Sequence, residues 1–170
     1  MKKHLLIILL FSFWISSAQE AKENDCACCT ATHQEFDFWL GEWTVYDVND
    51  KIVGTNTITK EYTNCVLKEE WKSSSKNRGT SYNYYNLSDK TWNQVWIDNS
   101  GFNLTLKGNY INNEMVLTSP LTKNDKGNYY NQITWRKNED GSVTQTWNVL
   151  NVNHQKVSEA FKGIYKKNVK

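Results

Sequence analysis

Polar and aromatic residues alternate along several segments of this 170-residue chain, and they are the side chains best suited to contact a ligand. Residues two positions apart on a β-strand share a face of the sheet. Such pairs are Glu69 with Trp71, Gln94 with Trp96, Gln145 with Trp147, and Tyr82 with Tyr84. Aromatic walls with a few placed polar atoms are typical of small-molecule pockets. If these faces point inward, the sequence predicts an interior that holds a small apolar or amphipathic molecule.

Glu69 is the most informative of these residues, because an inward-facing carboxylate is costly unless it is paired or neutral. Arg136, Gln94 or a cation on a ligand could pair with it, and Arg136 is therefore included in the candidate site. One alternative is a structural ion pair. Another is a surface position for Glu69, with Glu70 facing inward, if the strand register is shifted by one residue.

The elements that position these residues are predicted to be β-strands, because short alternating runs fill the chain from residue 42 onward. Turn pairs such as Asp-Gly and Asn-Asp separate the runs at intervals of about twelve residues. The ten predicted strands are 44–48, 52–60, 65–72, 80–87, 91–97, 102–110, 114–121, 128–137, 142–150 and 155–166. No long helical period separates them, so neighbouring strands should pair antiparallel. The predicted fold class is all-β, an antiparallel up-and-down β-barrel of about ten strands, since closure removes exposed edges.

A short helix is predicted immediately before the first strand. Phe36, Trp39 and Leu40 lie at the i, i+3 and i+4 positions of a helical face. Thr32 could cap this helix, with Glu35 as the reciprocal partner three residues later. An apolar helix at this point would cover one mouth of the barrel.

The four cysteines are Cys26, Cys28, Cys29 and Cys65, an even number. In an oxidising compartment, the expected arrangement is a disulfide from the N-terminal cluster to Cys65. Closing a loop of about 40 residues would stabilise the fold by about 3–4 kcal/mol in the chain-entropy model. A metal site formed by His33 and the cluster is an alternative, although the spacing does not match common structural zinc sites. A free or partly oxidised cluster is a third possibility.

Residues 1–19 have the pattern of a secretory signal peptide. Lys2 and Lys3 precede an apolar run over 5–15, and small residues follow at 16–18. The run is too short to span a membrane, which takes about 20 residues. The predicted organisation is a signal peptide over 1–19, a cysteine-rich segment over 20–35 and one β-barrel domain over 36–170. The protein is expected to be exported, to the periplasm or outside a bacterial cell.

The net charge argues against two classes of partner. The whole chain carries a formal charge of +2, and removing Lys2 and Lys3 leaves equal numbers of basic and acidic residues. Nucleic-acid binding and insertion into an anionic membrane are therefore not expected.

The segment Phe36-Asp37-Phe38-Trp39-Leu40-Gly41-Glu42-Trp43 resembles the start of a family of exported bacterial proteins with the pattern Phe-Asp-Phe-Trp-x-Gly-x-Trp. The likeness continues at 64–71, 79–85, 92–98 and 161–165, and so covers most of the mature chain. The resemblance implies a calycin-like fold and no particular activity. Gly41 and Trp43 also look like the first-strand signature of lipocalins and related barrels. That likeness implies that Trp39, Gly41 and Trp43 close the barrel and that Lys166, or Lys167, packs on the Trp43 ring.

Three functions follow as hypotheses. The first is an exported small-molecule-binding barrel with no catalysis and no cofactor. The second is a filled barrel that acts through its surface as an interaction or inhibitor module. The third is a haem or metal binder that uses His33 or the cysteine cluster. Enzymatic activity is not expected, because no positioned nucleophile, Gly-rich phosphate loop or His-x-x-x-His pair appears.

Overall fold

The described residues form eleven β-strands, ten of which close into one antiparallel barrel. The computed structural model describes residues 26–125 and 127–168. The strands are β1 Gly41–Tyr46, β2 Ile52–Glu61, β3 Val66–Ser73, β4 Arg78–Asn86, β5 Thr91–Asp98, β6 Asn103–Ile111, β7 Glu114–Thr118, β8 Thr122–Asn124, β9 Gly127–Lys137, β10 Val143–Leu150 and β11 Lys156–Lys167. Two short 3₁₀ turns precede them, Thr32–Gln34 and Asp37–Trp39.

The barrel closes where the last strand pairs with the first. Each of the ten strands hydrogen-bonds to its neighbours in chain order, with β8 left out, and β11 returns to pair antiparallel with β1. β8 pairs only with β9. The predicted all-β antiparallel barrel of about ten strands, with a short N-terminal helix, is confirmed. β8 was not predicted, because a three-residue strand with a single partner has no alternating pattern to reveal it.

The turns lie in two rings at opposite ends of the barrel. One ring contains the turns at 62–65, 87–90, 112–113 and 138–142, and we call it the closed end. The other ring contains the turns at 47–51, 74–77, 99–102 and 151–155, and we call it the open end. The N-terminal segment enters at the closed end, because β1 begins there.

The closed end is filled by aromatic rings from the N-terminal segment and the barrel wall. Phe36 stacks on Trp39 with ring centroids 5.0 Å apart, and both rings contact Trp135 at 5.2 and 5.4 Å. Trp43 and Trp92 are also buried in this cluster. Aromatic side chains bury large areas each, so this cluster forms much of the hydrophobic core.

The predicted helix is present as two 3₁₀ turns rather than one α-helical segment. Thr32 does not cap the helix, since the first turn begins at Thr32 itself and Ala31, in the cap position, makes no side-chain hydrogen bond. Glu35 instead accepts a hydrogen bond of 3.1 Å from the Trp92 indole. Tertiary contacts with β5 therefore replace the local capping box.

Two disulfides join Cys26 to Cys29 and Cys28 to Cys65. The predicted link from the N-terminal cluster to Cys65 is confirmed, and it ties the N-terminal segment to the turn between β2 and β3. Disulfides of this kind indicate an oxidising, non-cytoplasmic location. The predicted signal peptide over 1–19 lies outside the described residues. In the described part of the chain, no helix has the length and apolar character to cross a membrane.

Candidate functional site

A cavity of about 410 Å³ occupies the open end of the barrel. Tyr165, which lines the cavity, also contacts Trp39 and Trp43 of the aromatic core at the closed end. Its walls come from seven different strands or their adjoining turns. The lining residues are Val53, Glu69, Trp71, Ser73, Asn77, Gln94, Trp96, Asp98, Phe102, Leu104, Ile133, Gln145, Trp147, Ala160, Phe161 and Tyr165.

Two walls of the cavity are tryptophans that lie against glycines of a neighbouring strand. Trp71 of β3 lies over Gly54 of β2, where a Cβ would come within 2.5 Å of the indole Cη2. Trp96 of β5 lies over Gly79 of β4 in the same way, and a Cβ there would also come closer than 3.0 Å to the ring. Because these glycines have no side chain, the indoles lie back against the sheet and leave the barrel axis open.

Two further walls are held by specific contacts. Phe161 of β11 lies over Gly163, where a Cβ would come within 2.7 Å of Cζ. The Trp147 indole donates a hydrogen bond of 2.9 Å to Asn131 Oδ1 and stacks on Phe102 at a centroid distance of 6.3 Å. The hydrogen bond of the indole N–H and the stacking of the ring on Phe102 together fix the orientation of Trp147.

The Glu69 carboxylate forms the polar floor of the cavity and is only 5% exposed. One of its oxygens accepts a hydrogen bond from Asn56 Nδ2 and the other from Ser81 Oγ, both at 2.7 Å. Both donors are uncharged. Burial raises the pKa of Glu69 above its ordinary value, although these two hydrogen bonds oppose the shift.

The side-chain amides near Glu69 form hydrogen bonds with one another and with Ser81. Gln94 Nε2 donates to Asn83 Oδ1 at 2.7 Å, and Asn83 Nδ2 donates to Ser81 Oγ at 2.9 Å. Asn56 is the exception, because its buried Oδ1 has no hydrogen-bond partner among the described residues. The floor is therefore a connected network with one unmet acceptor and one carboxylate that lacks a positive partner.

Tyr165 and Asp98 are the other ionisable residues of the lining. The Tyr165 hydroxyl donates to Gln145 Oε1, and burial together with the Glu69 charge holds the pKa of this phenol well above its ordinary value. Asp98 lies at the rim, where hydrogen bonds from Ser100 and Asn77 lower the pKa of its carboxyl group. None of the described lining residues is a lysine, arginine or histidine.

Six of the predicted site residues meet in this cavity, namely Glu69, Trp71, Gln94, Trp96, Gln145 and Trp147. Each of the three predicted polar–tryptophan pairs thus lies on an inward face. Glu69 is paired with Asn56 and Ser81 rather than with Arg136 or Gln94.

Tyr82 and Tyr84 do not line the cavity, so their predicted inward position is wrong. They are 42% and 38% exposed on the outer face of β4. The reason is the pairing register: Ser81 lies opposite both Glu69 and Trp96, so the odd-numbered residues of β4 face inward. A face of two tyrosines resembles an inner face in the sequence, but it is solvated here.

Arg136 also lies outside the cavity, contrary to the sequence-based expectation. It is exposed on β9 near the closed end and forms an ion pair with Glu114 of β7. It lies opposite Thr144, next to the inward-facing Trp135, so alternation along β9 points it outward.

The residues predicted to close the barrel act at the closed end, with one correction. Trp39 and Trp43 are fully buried, and the Trp43 indole donates a hydrogen bond of 2.8 Å to the Trp39 carbonyl. Gly41 has a φ of +128°, which favours glycine where the chain turns into β1. Lys167, not Lys166, lies over the Trp43 ring, at 5.3 Å from its centroid.

Lys166 lies on the opposite face of β11. Its Nζ lies over the Tyr46 ring and forms a 2.8 Å ion pair with Asp50. The alternation that places Tyr165 and Lys167 on the barrel-closing face excludes Lys166 from it.

Several residues of the site were not predicted from the sequence, namely Asn56, Ser81, Asn83, Phe102, Phe161 and Tyr165. Phe161 and Tyr165 of β11 could have been predicted from the sequence, since positions 161, 163 and 165 alternate as an inward face. No sequence pattern predicts an inward position for Asn56 or Ser81, because a small polar residue in a strand is ordinarily solvent-exposed.

The cysteine cluster and His33 do not contribute to the cavity. All four cysteine sulfurs are bonded in disulfides, so the cluster offers no thiolate ligand in this state. His33 is buried at the closed end, where its Nδ1 lies 2.7 Å from Thr30 Oγ1 and its ring meets Tyr85 edge-on. In the part of the chain that the structure describes, no three His, Cys, Asp or Glu residues are grouped to hold a metal ion.

Comparison with known proteins gives no assignment. No protein-family model matches the chain, and no curated protein is significantly similar to it.

Proposed function

We propose that this protein is an exported binding protein that holds a small, partly apolar molecule in the cavity at the open end of the barrel, without catalysing a reaction. The observation that carries the proposal is the placement of Trp71 and Trp96 over glycines. Each ring lies over a strand position that has no side chain, so the two indoles border the cavity instead of filling it.

The size and chemistry of the cavity support the same function. A volume of about 410 Å³ falls within the range of small-ligand pockets, which is roughly 300–1,000 Å³. Six of its sixteen lining residues are aromatic, and its polar groups lie in part at the floor, with Glu69, and in part at the rim, with Asp98. An apolar part of a ligand would be buried between the rings, and a polar part would reach Glu69.

The position of the apolar residues around the mouth is consistent with entry of such a ligand. Val48, Ile52, Phe102, Val152 and Val157 are exposed at the open end. They belong to three different turns and the strands that adjoin them. The likeness to lipocalin-type barrels, which rests on Gly41 and Trp43, also supports a binding role for the interior.

The test is a titration with the neutral dye N-phenyl-1-naphthylamine, followed by dye emission and by quenching of tryptophan emission. We expect saturable binding at one site per chain. Ala160 lines the mouth and is solvent-exposed, so Ala160→Trp should block the cavity without disturbing the core. The matched control is Thr55→Trp on the exposed outer face of β2, which should bind the dye normally.

Two outcomes would contradict the proposal. One is no saturable binding by the wild-type protein. The other is equal loss, or equal retention, of binding in Ala160→Trp and Thr55→Trp. Either result would favour a barrel that acts through its surface.

A further inference from the structure

We infer that the ligand of this cavity is an organic cation, such as an alkyl- or arylalkyl-ammonium, whose positive group lies against Glu69 and whose apolar part lies between the tryptophan walls. This inference rests on the proposed binding function and names the chemical class of its ligand.

The charge balance of the cavity favours a cationic ligand. Glu69 is buried at its floor, and both of its hydrogen-bond donors, Asn56 and Ser81, are neutral. Among the described lining residues, Glu69 and Asp98 are both acidic and no residue is basic. A buried carboxylate without a positive partner is costly to the folded state, and a cationic ligand would supply that partner.

The aromatic walls of the cavity also favour a cationic ligand. The faces of tryptophan and phenylalanine rings carry partial negative charge, so they attract cations, and tryptophan does so most strongly. Trp71, Trp96, Trp147 and Phe161 surround the space above Glu69. Aromatic rings around a carboxylate are a common way to recognise ammonium groups in water.

Other ligand classes fit the floor less well. An anionic ligand would meet Glu69 and Asp98, and repulsion between like charges grows as water is excluded. A polyhydroxylated ligand needs many unoccupied hydrogen-bonding groups. Asn83 and Gln94, however, already bond to each other, and Tyr165 bonds to Gln145.

The structure also suggests why Glu69 is not a purely structural residue. A glutamine at this position would keep the shape and remove the buried charge. Its amide oxygen could still accept the hydrogen bond from Asn56 Nδ2 or from Ser81 Oγ. The charge thus adds cost to the fold, and a positively charged guest would offset that cost.

The test compares three probes of similar shape and different charge, by calorimetry or chemical-shift titration at pH 8. The probes are 2-phenylethylammonium, the neutral 2-phenylethanol and the anionic 3-phenylpropionate. We expect the cation to bind about tenfold more tightly than the alcohol, and the anion to bind most weakly.

The matched variants are Glu69→Gln and Glu70→Gln, which remove one carboxylate from opposite faces of β3. Glu69→Gln should bind the cation and the alcohol equally well. Glu70→Gln, which loses only an outer-face ion pair with Lys68, should keep the wild-type preference.

Each alternative result has a distinct meaning. Equal binding of cation and alcohol by the wild-type protein would overturn the inference and leave the proposed binding function intact, as would preference for the anion. Failure of all three probes together with N-phenyl-1-naphthylamine would overturn both. The wild-type comparison does not depend on any variant, so a folding defect in Glu69→Gln would not prevent a decision.

Discussion

The indole of Trp71 lies over Gly54 of the neighbouring strand, so closely that the Cβ of any other residue at position 54 would stand 2.5 Å from Cη2. Trp96 and Gly79 repeat this arrangement on the next pair of strands. In both cases a large ring is combined with the smallest residue, and the ring is held back against the sheet. The consequence is a cavity at the open end, in a barrel whose other end is filled by aromatic rings.

The pairing of Trp96 with Gly79 can be tested by a double-mutant cycle. Gly79→Ala should lower the free energy of unfolding by about 1–3 kcal/mol, because the added methyl group pushes the indole off its position. The same substitution in a Trp96→Leu background should cost less than in the wild-type background, since only the contact with the Ile97 carbonyl oxygen, at 2.9 Å, then remains. The measurement is urea denaturation of the four proteins. Additive effects of the two substitutions would show that the ring and the glycine do not act as a pair.

The same substitution should also affect ligand binding. The displaced Trp96 ring can move only toward the barrel axis, so Gly79→Ala should weaken binding of N-phenyl-1-naphthylamine by about tenfold. Tyr84→Ala, which removes an aromatic ring from the outer face of the same strand, is the control and should bind as the wild type does. Unchanged affinity in Gly79→Ala would mean that the dye does not occupy the space beside Trp96.

Glu69→Gln should raise the free energy of unfolding at pH 7, by about 1 kcal/mol. The substitution removes a desolvated charge from the floor of the cavity. Chemical denaturation of the ligand-free protein measures the change, with Glu70→Gln as the exposed control that should not be stabilised. A large loss of stability in Glu69→Gln would show that the carboxylate serves the fold.

The stability difference between wild type and Glu69→Gln should depend on pH. The pKa of Glu69 is raised in the folded protein above its ordinary value of 4.5, so folding favours the protonated carboxyl group. The contribution of this group to stability is therefore fully present below about pH 4.5 and is lost as the pH rises through its raised pKa. Denaturation of both proteins between pH 4 and pH 8 should show the advantage of the glutamine variant growing with pH. A difference that shrinks with pH would contradict the buried, unpaired state of Glu69.

Ionisation of Glu69 should strengthen the binding of a cation, although the same ionisation lowers the stability of the fold. A quaternary ammonium probe such as benzyltrimethylammonium does not titrate, so its affinity should fall as the pH is lowered through the pKa of Glu69. The groups that face Glu69 are Asn56, Ser81, Gln94 and Tyr165; only the last of these titrates, with its pKa held well above 10.0. The rim carboxylate Asp98 has a lowered pKa and remains ionised over this range. An affinity that does not change with pH would separate cation binding from Glu69.

The two disulfides should contribute unequally to stability. Removing the Cys28–Cys65 bond by a double serine substitution should cost about 3–4 kcal/mol, because it closes a loop with a sequence separation of 37. Removing the Cys26–Cys29 bond in the same way should cost about 2 kcal/mol or less, because its loop is short. Denaturation under non-reducing conditions gives both values. Equal costs would indicate that the N-terminal segment does not depend on its link to the turn between β2 and β3.

The barrel and six of the sixteen residues that line its cavity could be predicted from the sequence, because alternation and turn chemistry are local signals. Trp71 and Glu69 on β3, and Trp96 and Gln94 on β5, show a period of two within single strands. Tyr82 and Tyr84 were predicted on the wrong face because alternation divides a strand into two faces without showing which of them is buried. That choice depends on which residues of β3 and β5 lie opposite, and this cross-strand register is not encoded in β4 alone.

The features that shape the cavity are also non-local. Gly54 and Gly79 look like ordinary weak points of a strand until the ring that covers each of them is known. The role of Lys167 rather than Lys166 depends on the register between β11 and β1, where a shift of one residue exchanges the two faces. The Glu69–Asn56 pair joins residues of two strands, and nothing in the sequence around Asn56 marks it as the partner of Glu69.

The most direct test of the binding account is a crystal structure of the protein with N-phenyl-1-naphthylamine bound. We expect the dye inside the open end of the barrel, with its rings between Trp71 and Trp96 and Glu69 beneath it. A dye bound to the outer face of the barrel, or tryptophan rings that meet at the axis with no space between them, would contradict the account.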